Sequence, residues 1–226
     1  MTALDAGAFD HLESRYQAVL FDLDGVLVDS QGAENIALVG LAARLGHHLT
    51  ETEAHQHFNG RRLAESVGIL GDLTGRPVPP DAIEYLRTTA AELLDSSLTV
   101  VPHVTSVLQK CRMPRYIVSN SPLDMIRDRL ERTALNTYFD HEHFSAYDIG
   151  IWKPDPGLYV HAAKHVGVPA GDLVAIEDSE VGLRSAAGAG IDVLWFAAAD
   201  SPAIVGLPHS VRLQRFSSML DLVGRI

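Results

Sequence analysis

Hydrophobic and polar positions along the chain fall into two regimes. Near the start, Ala18-Val19-Leu20-Phe21 is a short apolar run that ends in Asp22-Leu23-Asp24-Gly25. It reads as a buried strand entering a turn, because Asp-Gly is a strong turn signal. Runs of the same character cover Arg115–Ser119, Leu173–Glu177 and Val193 to Phe196, with a weaker one around Phe144. Amphipathic stretches separate them. Pro122 to Arg132 places Met125, Ile126 and Leu130 at helical spacing, and Leu158 to Val166 and Val181 to Ala189 follow the same rule. Strand and helix in alternation predict a parallel sheet with helices on both faces.

Between Ser30 and Leu98 the strand-like runs stop. Leu38, Leu41, Ala42 and Leu45 mark one helix, with Ser30 as its N-cap and Gly46 as its stop. Ile83, Leu86, Ala90, Leu93 and Leu94 mark another, opened by Pro79-Pro80-Asp81. Shorter helices are expected near Glu51–Phe58 and from Arg62 to Leu70. Residues 31–99 therefore read as a helical insert, a cap, in a core made of residues 1–30 and 100–226.

Composition narrows the classes of function. The 226 residues suffice for one ordinary domain plus a smaller insert. The formal net charge of -11 repels nucleic acid and anionic membranes, so neither is an expected partner. An anionic substrate would need local positive charge or a metal ion. The single cysteine, Cys111, excludes an internal disulfide and fits a reducing cytoplasm. The opening MTALDAGAFD does not read as a signal peptide, and no apolar run approaches the ~20 residues of a membrane span. A monomer or small homo-oligomer is expected.

Several features carry less than their residue types suggest. His55-x-His57 and His141-x-His143 lack a third ligand at a spacing suited to zinc. Gly188-Ala189-Gly190 ends a helix, and no GxGxxG follows a strand. Position 117 is Ile117, where a cysteine phosphatase built on Cys111 would need arginine; Cys111 reads as an inert, half-buried thiol.

In a parallel α/β sheet, ligands bind at the carboxyl ends of the strands. Those ends hold Asp22 and Asp24, then Ser119 and Asn120, then Glu177 and Asp178. Lys153 lies in a Trp-Lys-Pro-Asp-Pro loop before a helix. Four carboxylates at one edge repel each other, and a hard cation such as Mg²⁺ relieves that while accepting a substrate phosphate. An aspartate is ionised at neutral pH and can attack phosphorus without a partner base. A second carboxylate can protonate the leaving oxygen and then activate water.

The ordered motifs resemble the haloacid dehalogenase-like (HAD) superfamily. Phe21-Asp22-Leu23-Asp24-Gly25-Val26-Leu27-Val28-Asp29-Ser30 matches its first motif, Ser119 its second and Lys153 in Lys153-Pro154-Asp155-Pro156 its third. Glu177-Asp178-Ser179 with Gly182 matches the fourth. The resemblance implies an α/β fold class: a Rossmann-like parallel sheet core with an inserted α-helical cap domain. It implies Asp22 as nucleophile and Asp24 as general acid/base. Mg²⁺ would be held by Asp22, the Asp24 backbone carbonyl and Asp178, with Glu177 in support. Ser119, Asn120 and Lys153 would bind phosphate. The cap's position after the first motif is similar to the β-phosphoglucomutase-like branch. Within it, Ser145 to Pro156 and Phe58-Asn59-Gly60 resemble the bacterial 6-phosphogluconate phosphatase type.

The implied activity is Mg²⁺-dependent hydrolysis of a small phosphorylated metabolite, a sugar or sugar-acid phosphate, through an aspartyl-phosphate. Arg61 and Arg62 in the cap are the candidate substrate readers. The rival activities are a β-phosphoglucomutase-like isomerase, a phosphoglycolate-type phosphatase, a dehalogenase, phosphonoacetaldehyde hydrolysis and a non-catalytic binding protein. Asp24 argues against the dehalogenase. The absence of lysine from residues 31–99, and Glu34 where the isomerase relay uses histidine, weaken the isomerase and the phosphonate route.

Overall fold

The computed structural model describes residues 12–139 and 143–226. Two compact units emerge: the segment up to Val28 with Val100–Ile226, and Asp29–Thr99. Eight strands are present among the described residues: β1 (Ala18–Phe21), β2 (Val28–Asp29), β3 (Thr99–Val100), β4 (Arg115–Ser119), β5 (His143–Ser145), β6 (Leu173–Glu177), β7 (Asp192–Phe196) and β8 (Leu213–Phe216). Six of them form one sheet in the order β5-β4-β1-β6-β7-β8, and every neighbouring pair is parallel. Strands β2 and β3, where the chain passes between the units, pair as a separate two-stranded sheet.

The first unit is a Rossmann-like α/β fold. Strand β1 sits between β4 and β6, with Leu20 opposite Tyr116 on one side and Ala175 on the other. Leu20, Val118, Ala175 and Val193 pack against Leu158, Tyr159 and Ala162 of helix Gly157–Val166 and against Leu183, Ala186 and Ala187 of helix Glu180–Gly188. The alternate residues Val19, Phe21, Ile117, Val174 and Ile176 are fully buried as well. Side chains alternate between faces along a strand, so both faces of the sheet are covered. That is why β1 and β6 read as unbroken apolar runs.

Strand β8 does not stand out in the sequence. Its Leu213-Gln214-Arg215-Phe216 lies at the sheet edge, and only Phe216 is buried. Arg215 instead lies over the Trp195 ring, 5.7 Å from its centroid.

The second unit is helical: Gln31–Arg44, Glu51–Phe58, Leu63–Thr74 and Ala82–Ser97. Leu38, Leu41, Ala54, Phe58, Leu70 and Leu86 form its core. Thr50 and Glu53 form a reciprocal capping box at the second helix. Ser30 stands at the predicted N-cap position of the first helix, but its side chain makes no capping bond.

Candidate active site

Because β4, β1 and β6 are neighbours, their carboxyl ends bring Ser119, Asp22 and Glu177 together. Lys153 joins them from the loop before helix Gly157–Val166. Its Nζ donates to Asp22 Oδ1 at 2.9 Å, to Glu177 Oε1 at 2.6 Å and to the Val118 carbonyl at 2.8 Å. An ammonium has three N–H donors, and all three are engaged. Lys153 is 3% exposed, which makes this a buried charge cluster.

Asn120 holds the lysine loop in place. Its Oδ1 accepts from the Lys153 N–H at 2.9 Å, and its Nδ2 donates to the Lys153 carbonyl at 3.4 Å. The sequence suggested a phosphate contact for Asn120; in the fold its side chain bonds both backbone polar groups of Lys153. Ser119 is buried, and its Oγ accepts from the Ser121 N–H at 3.0 Å.

Asp22, Glu177 and Asp178 each offer an oxygen, and these atoms lie within 4.8 Å of one another. Burial pushes the Asp22 carboxyl up; Lys153 opposes that rise and Asp24 adds to it. Glu177 is pushed up to about 8, first by burial and then by Asp22, again against the pull of Lys153. Burial works to lower the Lys153 ammonium, but Asp22 and Glu177 outweigh it and keep it protonated. Tyr159, raised by burial and by Glu177, donates its hydroxyl to Glu177 Oε1 at 2.5 Å. Glu177 Oε2 is buried without a hydrogen-bond partner. A clustered set of oxygen donors, held against their own repulsion and with Glu177 Oε2 unsatisfied, fits a hard divalent cation.

The turn after β6 is shaped for this cluster. Ser179 caps helix Glu180–Gly188 by accepting from the Gly182 N–H at 3.1 Å. Gly182 then lies so close to Glu177 that a Cβ there would sit 1.8 Å from Oε2. Only glycine fits. Trp195 Nε1 donates to the Asp178 carbonyl at 3.4 Å.

Asp24 follows in the turn that Gly25 makes with φ +81°. One Asp24 oxygen pairs with Arg129 and the other accepts from Ser121 Oγ at 2.9 Å. The sequence reading did not single out Arg129, Ser121 or Tyr159. A signal existed for Arg129: Ile126, Arg129 and Leu130 share the buried face of helix Leu123–Arg132, so an arginine falls on an apolar stripe.

In the helical unit, Arg61 and Arg62 precede helix Leu63–Thr74. Arg61 forms an ion pair with Glu65, and its Nε donates to the His57 carbonyl at 3.0 Å. Cys111 is half-buried, and burial pushes its thiol up, away from reactivity. His141 lies outside the described residues. Among those described, no helix is long and apolar enough to cross a membrane.

A parallel sheet with acidic residues at its strand ends and a buried lysine between them defines a Rossmann-like α/β protein with a charged site at its carboxyl edge. The family profile of haloacid dehalogenase-like hydrolases matches residues 16–190, and the chain belongs to that family. It is 34% identical over 186 residues to the 6-phosphogluconate phosphatase of Escherichia coli, covering 82% of this chain and 84% of that one. It is 28% identical over 195 residues to hexitol phosphatase A of the same organism, covering 84% and 88%. A HAD family hydrolase from Deinococcus radiodurans, solved with bound phosphate and sodium, superposes with a TM-score of 0.72 at 28% identity, covering 92% and 93%.

Proposed function

We propose that this hydrolase is a Mg²⁺-dependent phosphatase of sugar or sugar-acid phosphates, with 6-phosphogluconate the first candidate substrate. The observation that carries the reading is the buried Asp22–Lys153–Glu177 cluster, with Asp24 set two residues from Asp22 and held separately. The names of the relatives, phosphatases of a sugar acid and of hexitols, support the substrate class.

Asp22 attacks phosphorus and forms an acyl phosphate as the bond to the leaving oxygen breaks. Asp24 gives its proton to that oxygen. Water then attacks the acyl phosphate, Asp24 takes the proton from the water, and Asp22 is restored as phosphate departs. Ser119 and Lys153 bind the phosphoryl oxygens. Mg²⁺ bound by Asp22, Asp178 and the Asp24 carbonyl, with Glu177 in support, would neutralise phosphoryl charge. Asn120 acts at one remove, by fixing the Lys153 backbone.

The test is phosphate release from a panel of phosphorylated metabolites, ranked by kcat/KM, with and without Mg²⁺. Sugar and sugar-acid phosphates should lead the panel. Chelation should abolish turnover, and Mg²⁺ should restore it. Full activity in excess chelator removes the metal-dependent reading. Nucleotides or phosphoglycolate clearly outranking every sugar phosphate removes the substrate class but leaves the phosphatase.

A sugar acid carries a carboxylate, and residues 31–99 contain no lysine to meet it. Arginine grips a carboxylate with two parallel hydrogen bonds, which makes Arg61 or Arg62 its reader. Arg61 already serves Glu65, so in that role it would exchange one carboxylate for another. Replacing the reader with alanine should lower kcat/KM for 6-phosphogluconate by about tenfold to a hundredfold, the worth of a charge-assisted contact. p-Nitrophenyl phosphate, which lacks the carboxylate, should lose far less. Equal losses on both substrates mean that neither arginine reads the carboxylate.

A further inference from the structure

The geometry points to Arg129, acting with Ser121, as the positioning residue for the Asp24 carboxylate. The inference rests on the acid/base role given to Asp24 above and adds what makes that role possible. Asp24 lies on a partly exposed turn beside Gly25, where an aspartate alone would sample several rotamers. Both of its oxygens are gripped. Oδ1 accepts from Arg129 Nη1, and Oδ2 accepts from Ser121 Oγ.

The two grips come from different elements, and each is itself fixed. Ser121 follows β4. Its N–H donates to Ser119 Oγ at 3.0 Å, and its carbonyl accepts from Ser145 Oγ, at the end of β5, at 2.8 Å. Arg129 comes from the buried face of helix Leu123–Arg132, beside Ile126 and Leu130, and is 4% exposed. Burying a guanidinium is costly unless a partner offsets it, so an arginine on this stripe is a commitment to that partner. The surface faces of the same helix would hold an arginine at almost no cost.

A group that must donate a proton in one step and accept one in the next has to stay within hydrogen-bond reach of both atoms. An error of about 1 Å costs about 10²-fold in rate. Arg129 and Ser121 act through the Asp24 carboxylate and are given no part in binding phosphorus, the leaving oxygen or the water.

The experiment uses the full chain with Mg²⁺ and p-nitrophenyl phosphate, followed through its first turnover. Nitrophenolate leaves without a proton, so phosphorylation of Asp22 does not need Asp24, whereas hydrolysis of the acyl phosphate does. Arg129→Met should release a rapid burst of about one equivalent and then turn over about 10²-fold more slowly than the parent, with no rise in KM. Intact mass after acid quench should reveal a phosphoryl adduct. Arg129→Lys should recover part of the lost rate.

Ser121→Ala keeps the ion pair and carries the test if Arg129→Met does not fold. It should give the same pattern at about tenfold to a hundredfold, the worth of one hydrogen bond to a charged group. Steady-state rates within about twofold of the parent in both variants would overturn the inference, being less than one such bond. So would a loss of burst and turnover together with no adduct, which would place the defect at Asp22 or in the fold. Asp24→Asn separates the two levels. Slow turnover there, with normal Arg129 and Ser121 variants, sinks only the positioning role. Normal turnover in Asp24→Asn sinks the acid/base role and this inference with it.

Discussion

Asp22→Asn is expected to reduce turnover by on the order of 10⁴-fold or more, as loss of a covalent nucleophile does. The amide is neutral and a poor nucleophile, and it removes one negative charge from the cluster of Asp22, Glu177 and Asp178. The fold should survive. Asp22 is 6% exposed, but an asparagine oxygen can still accept from Lys153 Nζ, as Asp22 Oδ1 does at 2.9 Å. Phosphate release gives the rate, and thermal denaturation checks that the variant remains folded. Acid-quenched samples should carry no phosphoryl adduct. A variant that keeps a tenth of the parent kcat would rule out the covalent route through Asp22.

Lys153→Met should lose both activity and stability. The thioether fills the space of the stem but leaves Asp22, Glu177 and the Val118 carbonyl without their shared donor. Breaking a buried ion pair by removing one partner costs about 3–5 kcal/mol. The sign of its pH dependence follows from the carboxyls. Burial already holds Asp22 and Glu177 above their ordinary values, and Lys153 opposes that rise. Without the lysine both rise further. A carboxyl that holds its proton more tightly in the folded state than in the unfolded one loses stability as pH rises. Since Glu177 stands at about 8 with the lysine present, the deficit of Lys153→Met should grow as pH rises past that value, and be larger at about pH 9 than at about pH 7. Added Mg²⁺ should restore part of it by replacing the missing positive charge. Denaturant unfolding at the two pH values, with and without Mg²⁺, checks this. A deficit independent of pH and Mg²⁺ would mean that Lys153 does not hold the carboxylates together.

What was legible in the sequence follows from burial. Strands β1 and β6 are buried at every position, so they read as apolar runs. The polar residues that end β1, β4 and β6 could be recognised because those runs stop abruptly. Strand β5, three residues at the other sheet edge, gave only a weak signal, and β8 gave none, because its packing uses the stem and charge of Arg215. The cluster of Asp22, Ser119, Lys153 and Glu177 was visible as strand-end chemistry. Its supports were not. Arg129 and Tyr159 project from the buried faces of helices, where periodicity marks a position as inward but does not say what it reaches. Asn120 was visible because it follows Ser119, but its bonds to the Lys153 backbone appear only in the folded loop.

The central strand also sets the order in which this site can exist. Strand β1 ends at Phe21, yet its neighbours begin only at Arg115 and Leu173. Pairings so far apart in the chain close long loops before any contact rewards them, which makes parallel sheets slow to assemble. On a growing polypeptide, Asp22 is made 131 residues ahead of Lys153, and further still ahead of Glu177 and Asp178. Asp22 thus gains Lys153, Glu177 and Asp178 together, as one event late in folding.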